Sequence, residues 1–352
     1  MNIINAEFDI ALISKYRTQL MGIAAFGIII GHFVGFGCYV PNSILRTLLI
    51  HGSLGVDIFL FLSGLGCWYS LNKLEQSRSS DSIKYLDMQW WKKRFVRIII
   101  PYTLCLVLLE CTKGILYGEF DIVDEIYFFS TLKFWTSHEG FWFVALLVPL
   151  YFFTPTLYII QNRFDNRITF CIILLVLILA LTSIEVDRTS GLFNEIIFNI
   201  QYAFKRSTNY IIGITVAPYC KSNKRINPLL SIAVFGALFV AQCVIRSAFD
   251  FYLFCNWALT PILLIIFCYV LRCLNVKSKS YMFFTWLGAA SLESYLTNGG
   301  TQGIATWVAS CYPDSRLFFG RYLEYGIVVV LGLILTYVLH VASQRISKKI
   351  NY

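Results

Sequence analysis

Charge is what this sequence has least of. Asp, Glu, Lys and Arg together make up 14% of its 352 residues, against 57% hydrophobic and 17% aromatic. Soluble domains carry about a quarter charged residues, so a pair of soluble domains is excluded and a polytopic membrane protein is indicated, with lipid as its solvent. Histidine is rarer, at four residues. Cys-x-x-Cys pairs are lacking, the eleven cysteines are an odd number, and Cys38, Cys105, Cys171, Cys243 and Cys268 stand singly inside apolar runs. That argues against both a disulfide framework and a zinc site, so no metal is expected. A small-residue cleavage site is lacking too. The first 19 residues carry Glu7, Asp9, Lys15 and Arg17, and the N-terminus is expected to be retained in the cytoplasm. The net charge of +9 comes from basic residues that flank apolar runs instead of forming one face. Such residues report membrane topology, and no nucleic-acid partner is expected.

Long apolar runs, by contrast, are plentiful. A helix needs roughly 17 to 25 apolar residues to cross about 30 Å of hydrocarbon, and ten runs qualify: 20–40, 48–71, 95–113, 141–160, 168–184, 204–220, 229–247, 251–272, 282–308 and 322–344. Placing the N-terminus inside puts most basic residues in cytoplasmic segments, among them Lys92, Lys93, Arg94, Arg97, Lys348 and Lys349. The expected fold is therefore all-α and polytopic, about ten transmembrane helices in one bundle with both termini cytoplasmic. Tails over 1–19 and 348–352 flank a transmembrane domain over 20–347. The longest outer loop, about 114–140, is acidic and is assigned no chemistry.

The first span, Leu-Met-Gly-Ile-Ala-Ala-Phe-Gly-Ile-Ile-Ile-Gly-His over 20–32, buries an ionisable imidazole, His32. An ionisable residue inside a span is a functional-site hypothesis by default. At 1.5 Å per residue His32 lies about 18 Å beyond Leu20, past the midplane, and Asp57 of the second span lies about 10 Å below that span's outer end. Glu293 of the ninth span lies about 16 Å from its inner end. Residues at one level of a bundle are expected to line a polar cavity rather than face lipid. Glu110, at a similar height, is read as a tie between helices, and His51, His138 and His340 as structural or solvated. A buried neutral histidine held by a carboxylate suits a general base or a transient acyl acceptor. At the inner rim Arg94 and Arg97, three apart, share a helix face, and guanidinium forks suit phosphate.

These residues resemble the acyltransferase-3 family of integral-membrane acyltransferases, in motif order along the whole chain. The resemblance rests on Gly-Ile-Ala-Ala before His32, Gly-Val-Asp-Ile-Phe-Leu-Phe-Leu-Ser-Gly over 55–64 and Lys-Arg-Phe-Val-Arg-Ile-Ile-Ile-Pro-Tyr over 93–102. Phe141-Trp142-Phe143 and Ser-Leu-Glu-Ser-Tyr-Leu over 291–296 support it. It implies a plasma (inner) membrane enzyme with acetyl-coenzyme A, or another acyl-coenzyme A, as cytoplasmic co-substrate. The acceptor would be a hydroxyl of a surface glycan or lipid-linked sugar. His32 would be catalytic, with Asp57 orienting it and Glu293 a secondary cavity acid, and Arg94 and Arg97 would bind the coenzyme. Relatives commonly carry an arginine where this chain has Met21, and Arg17 is expected to reach up in its place as a further coenzyme anchor. Relatives often carry a histidine where Asn298 stands, so Asn298 is left out of the catalytic set. A secondary transporter could use the same buried groups as a proton relay, but it predicts matching interrupted halves, which Pro149, Pro155 and Pro261 do not form. A non-catalytic subunit of a polysaccharide assembly complex is the other alternative.

Overall fold

A backbone amide facing lipid must be satisfied within the chain, and a helix does this within one segment. The computed structural model describes residues 7–77, 88–118, 121–187, 191–249, 256–311 and 321–350, and nearly all of them are helical. The chain begins with α1 (Ala11–Lys15), α2 (Arg17–Gly35), α3 (Ser43–Ile50), α4 (Leu54–Gln76) and α5 (Met88–Tyr117). Then come α6 (Ile122–Phe129), α7 (Leu132–Ser137), α8 (Trp142–Arg163), α9 (Arg167–Thr182) and α10 (Leu192–Lys221). The last are α11 (Pro228–Phe249), α12 (Asn256–Cys273), α13 (Lys279–Ala289), α14 (Ser291–Gly300), α15 (Gln302–Cys311) and α16 (Arg321–Ile350). The only strands among the described residues are β1 (Phe8–Asp9) and β2 (Arg225–Ile226), paired antiparallel.

Among the described residues, five segments are long and apolar enough to cross a bilayer: Arg17–Gly35, Ser43–Gln76, Met88–Tyr117, Trp142–Arg163 and Arg321–Ile350. Their outward faces are greasy, as with Val330, Ile334 and Val338 on α16, which fits a lipid solvent. Two of the expected runs change by more than their ends. The sixth run begins earlier, because α10 starts at Leu192 and passes through Lys205 and Arg206. The ninth run is three helices, α13, α14 and α15, broken at Ala290 and at Thr301 after Gly299-Gly300, a weak helix-forming pair. The segment expected as the longest outer loop carries α6 and α7. Asp121 caps α6 by accepting from the Val123 amide at 2.8 Å, so part of the loop's acidity is helix capping. Of the expected tails, residues 1–6 and 351–352 lie outside the described residues.

Contacts cluster in two compact units. Unit 1 comprises Met1–Met21, Val56–Tyr85 and Pro149–Thr285; unit 2 comprises Gly22–Gly55, Leu86–Val148 and Trp286–Tyr352. In unit 1, α4 and α10 touch backbone to backbone: a Cβ on Gly213 would run into the Phe61 carbonyl, and one on Gly64 into that of Tyr210. Buried polar side chains there bond to one another, Thr154 to Tyr210 at 2.5 Å and Gln161 to Thr215 at 2.8 Å. In unit 2 the C-terminal half of α2 is pinned from two sides. Gly52 rests against Gly27 and Gly31 so closely that a Cβ would collide with the Gly27 carbonyl. On α16 the Tyr325 hydroxyl donates to the Ile29 carbonyl at 2.9 Å, and its ring meets Phe33 edge-on at 5.0 Å. His32 is thereby aimed.

Candidate active site

Among the described residues of unit 2, two cavities share α5 and α14. The first, of about 510 Å³, has His32 on its wall together with Glu110, Phe128, Phe141, Trp142 and Tyr295. Asn298, buried on α14, meets the His32 ring: its Oδ1 is the partner of His32 Nδ1. An amide oxygen only accepts, so in a neutral imidazole here Nδ1 is the nitrogen that carries the proton and Nε2 the one with the lone pair. Asn298 is itself held firmly. One residue before it, the Thr297 hydroxyl meets Thr336 Oγ1 at 2.8 Å and donates to the Gly332 carbonyl at 3.1 Å, which fixes α14 on α16.

The supposedly inert outer loop builds one wall of this cavity. Tyr102 on α5 donates to the Phe128 carbonyl at 3.1 Å, and Gly140, at φ +93°, passes so close to the Phe128 ring that a side chain would press on it. Lys133 bridges Asp124 at 2.8 Å and Glu139 at 3.4 Å. The hydrogen bond with Asp124 raises its ammonium above the ordinary lysine value. Tyr295 reaches the start of α8, where its hydroxyl accepts from the Phe143 amide at 3.4 Å.

The second cavity, of about 740 Å³, is basic at its rim, with Lys93 and Arg97 from α5 and Lys348 from α16. Its inner wall is a hydrogen-bonded chain. Glu293 Oε1 accepts from Ser343 Oγ at 2.8 Å and from His340 Nδ1 at 3.1 Å. His340 Nε2 in turn accepts from the Gln344 amide at 2.9 Å, so the imidazole donates at one nitrogen and accepts at the other. Lys92 closes the same end of the unit on the Ile350 carbonyl at 2.7 Å.

Of the residues expected from the sequence, His32 lies on the first cavity, and Arg97 and Glu293 lie on the second. Glu110, read as a tie between helices, lines the first. Arg94 stands over the Trp90 ring at 5.5 Å. Asp57 and Arg17 belong to unit 1. Asp57 is fully buried, with Oδ2 at 2.9 Å from Arg206 Nη1 and Oδ1 at 3.0 Å from Asn209 Nδ2, while Asn298 occupies His32 Nδ1. Arg17 donates from Nε to the Leu62 carbonyl at 3.0 Å and lies flat on Gly66, where a Cβ would strike the guanidinium.

Sequence reading missed Asn298, although its departure from the histidine of relatives marked the position. It also missed His340, Ser343 and Gln344, whose i, i+3, i+4 spacing puts them on one helix face.

An almost all-helical chain with apolar outward surfaces is an integral membrane protein, and His32, held by Asn298 on a cavity wall, is its candidate reactive group. Residues 19–341 match the model of the acyltransferase domain of the acyltransferase-3 family, and the chain belongs to that family of membrane acyltransferases. No curated protein and no solved structure matches the chain.

Proposed function

We propose that this protein transfers an acyl group, acetyl, from acetyl-coenzyme A to a hydroxyl of a cell-surface polysaccharide or its lipid-linked precursor. The observation that carries the reading is His32, presented on an aromatic cavity with Nδ1 turned to Asn298 and Nε2 left as the base. The acceptor hydroxyl gives its proton to Nε2 while its oxygen attacks the thioester carbonyl. The imidazolium then returns the proton to sulfur as the C–S bond breaks. General-base help of this kind contributes about 10² to 10⁴ in rate, enough when the donor is an activated thioester. Nε2 could equally carry the acyl group for a moment before the hydroxyl takes it.

In this reading the protein has ten spans in the plasma membrane with both termini cytoplasmic, an orientation supported by the basic residues that flank the spans. The start of α5 and the end of α16 are then cytoplasmic, and the basic cavity opens where a cytoplasmic coenzyme arrives. Arg97, with Lys93 and Lys348, meets its phosphates, and Arg94 is braced beside them by Trp90. Glu293 holds His340 and Ser343 in the wall of that cavity. Asp57 with Arg206, and Arg17 with α4, hold unit 1 together. The His32 cavity belongs to the outer ends of α2 and α5, where a surface glycan is met.

The test is turnover of radiolabelled acetyl-coenzyme A by the purified protein in lipid with cell-envelope glycan added. Wild type releases coenzyme and labels glycan, and His32→Ala loses both by at least about 10². Wild-type protein that stays folded and releases no coenzyme would end this reading in favour of a transporter or a non-catalytic subunit.

A further inference from the structure

The wall of the basic cavity is graded. Lys93, Arg97 and Lys348 are exposed at its rim, Val96, Pro101 and Leu292 add apolar surface, and Glu293 and Ser343 are buried on its inner side. Half-buried His340 joins the two zones, about 12 Å along α16 from Lys348. A carboxylate only accepts, so the 3.1 Å contact with Glu293 Oε1 makes Nδ1 the donor of a neutral ring and leaves Nε2 as its acceptor. The Ser343 hydroxyl, at 2.8 Å on the same oxygen, holds the carboxylate in place. What meets Nε2 is a side-chain amide: exposed Gln344 donates to it at 2.9 Å across one turn of α16, on the same cavity wall. At about 740 Å³ the space is within the roughly 300–1,000 Å³ range of small-ligand pockets.

We infer that this cavity holds the pantetheine arm of coenzyme A as well as its phosphates, with His340 Nε2 accepting an amide N–H of the arm at the place Gln344 now holds. This rests on the reading that brings the coenzyme to this cavity, and on no step of the acyl transfer. The ligand that fits is anionic at one end and carries secondary amides along a flexible, otherwise largely apolar arm. Its phosphates pair with guanidinium and ammonium at the rim. Its amide N–H, once out of water, needs an acceptor, and a neutral oriented imidazole supplies one without a charge to desolvate. Gln344 shows that Nε2 receives an amide in this geometry, and being exposed it can turn out to water when the arm arrives. Glu293 then has a specific task. By taking the Nδ1 proton in a hydrogen bond it keeps Nε2 an acceptor, which makes it a positioning residue that acts on the coenzyme through His340.

The experiment is titration calorimetry of the full chain in lipid nanodiscs with two probes, coenzyme A and its nucleotide head alone, adenosine 3′-phosphate 5′-diphosphate. His340→Phe is expected to weaken coenzyme A about fivefold, the scale of one neutral hydrogen bond, and to leave the nucleotide head unmoved. His340→Gln, which offers Glu293 a donor and the arm an acceptor, is expected to recover most of that loss. Gln344→Ala is expected to act in the opposite sense. With the competing amide gone, coenzyme A should bind about threefold tighter and the head as before. Gln344 is exposed, so this variant decides the matter by itself if His340→Phe does not fold. Equal effects of His340→Phe on the two probes, coenzyme A binding by Gln344→Ala no tighter than wild type, or no binding of coenzyme A by wild type would each overturn the inference. Acyl transfer from acetyl-coenzyme A is scored in parallel. Transfer with an unchanged KM for the donor in His340→Phe would sink the inference and spare the acyltransferase reading. The expected selective effects without any transfer would uphold the inference and sink that reading instead.

Discussion

The two cavities of unit 2 share α5 and α14 and differ in character. From Arg97 to Glu110 along α5 is about 20 Å, and over that distance the wall changes from lysine and arginine to aromatic rings and one carboxylate. On α14 the change is sharper, since Leu292 and Glu293 line the basic cavity and Tyr295 and Gly299 line the aromatic one. One helix therefore borders two cavities of different character, and short-range side-chain direction, not position along the helix alone, separates them. Unit 1 offers the complementary lesson. Its buried carboxylate, Asp57, is closed on Arg206 and Asn209, where a charge ties helices together.

Asp57→Ala should give the largest effect outside the His32 cavity. It leaves Arg206 buried beside an empty partner, which typically costs about 3–5 kcal/mol, so thermal unfolding in detergent should fall markedly. The Michaelis constants of whatever folded enzyme remains should stay the same. Full stability with abolished turnover would instead assign Asp57 to the chemistry and blur the contrast between the units. Next in size, the double variant Arg97→Ala/Lys348→Ala should raise the KM for acetyl-coenzyme A by about 10- to 100-fold, the scale of losing charge-assisted hydrogen bonds. Its kcat should be little altered, and an unchanged KM would remove the donor from the basic cavity. Asn298→Ala should have the smallest effect of the three. Losing one neutral hydrogen bond to Nδ1 is worth about 1 kcal/mol, so kcat should drop about fivefold with the donor KM unmoved. A variant with wild-type kcat would show that the imidazole is oriented by something else.

Much of the fold was legible in the chain as written. Scarce charge and long apolar runs dictate helices in lipid, because no other local structure satisfies the backbone there. The runs at α2, α5, α8 and α16 were found with only their ends displaced. The ninth run misled because hydropathy counts apolar length and is blind to a break at Ala290 or after Gly299-Gly300. The extension of α10 through Arg206 was invisible for a related reason: a buried arginine is tolerated only when its partner, Asp57, is brought to it from far along the chain.

The site divides in the same way. His32 could be picked out from the sequence, since a lone imidazole deep in an apolar run is costly unless used, and Arg97 could be picked out from its place at a helix entrance. Which groups they meet could not. That Asn298 reaches His32, that His340 and Ser343 close on Glu293, and that Phe128 and Gly140 of an acidic loop wall the cavity are contacts between residues tens to hundreds of positions apart. The sequence by itself determined an almost all-helical membrane chain and its candidate reactive residues, because hydropathy and residue chemistry are local. Only the tertiary structure decided that Asp57 is locked on Arg206 and Asn209 and that Glu293 closes on His340 and Ser343, because that depends on what packing brings within hydrogen-bonding reach.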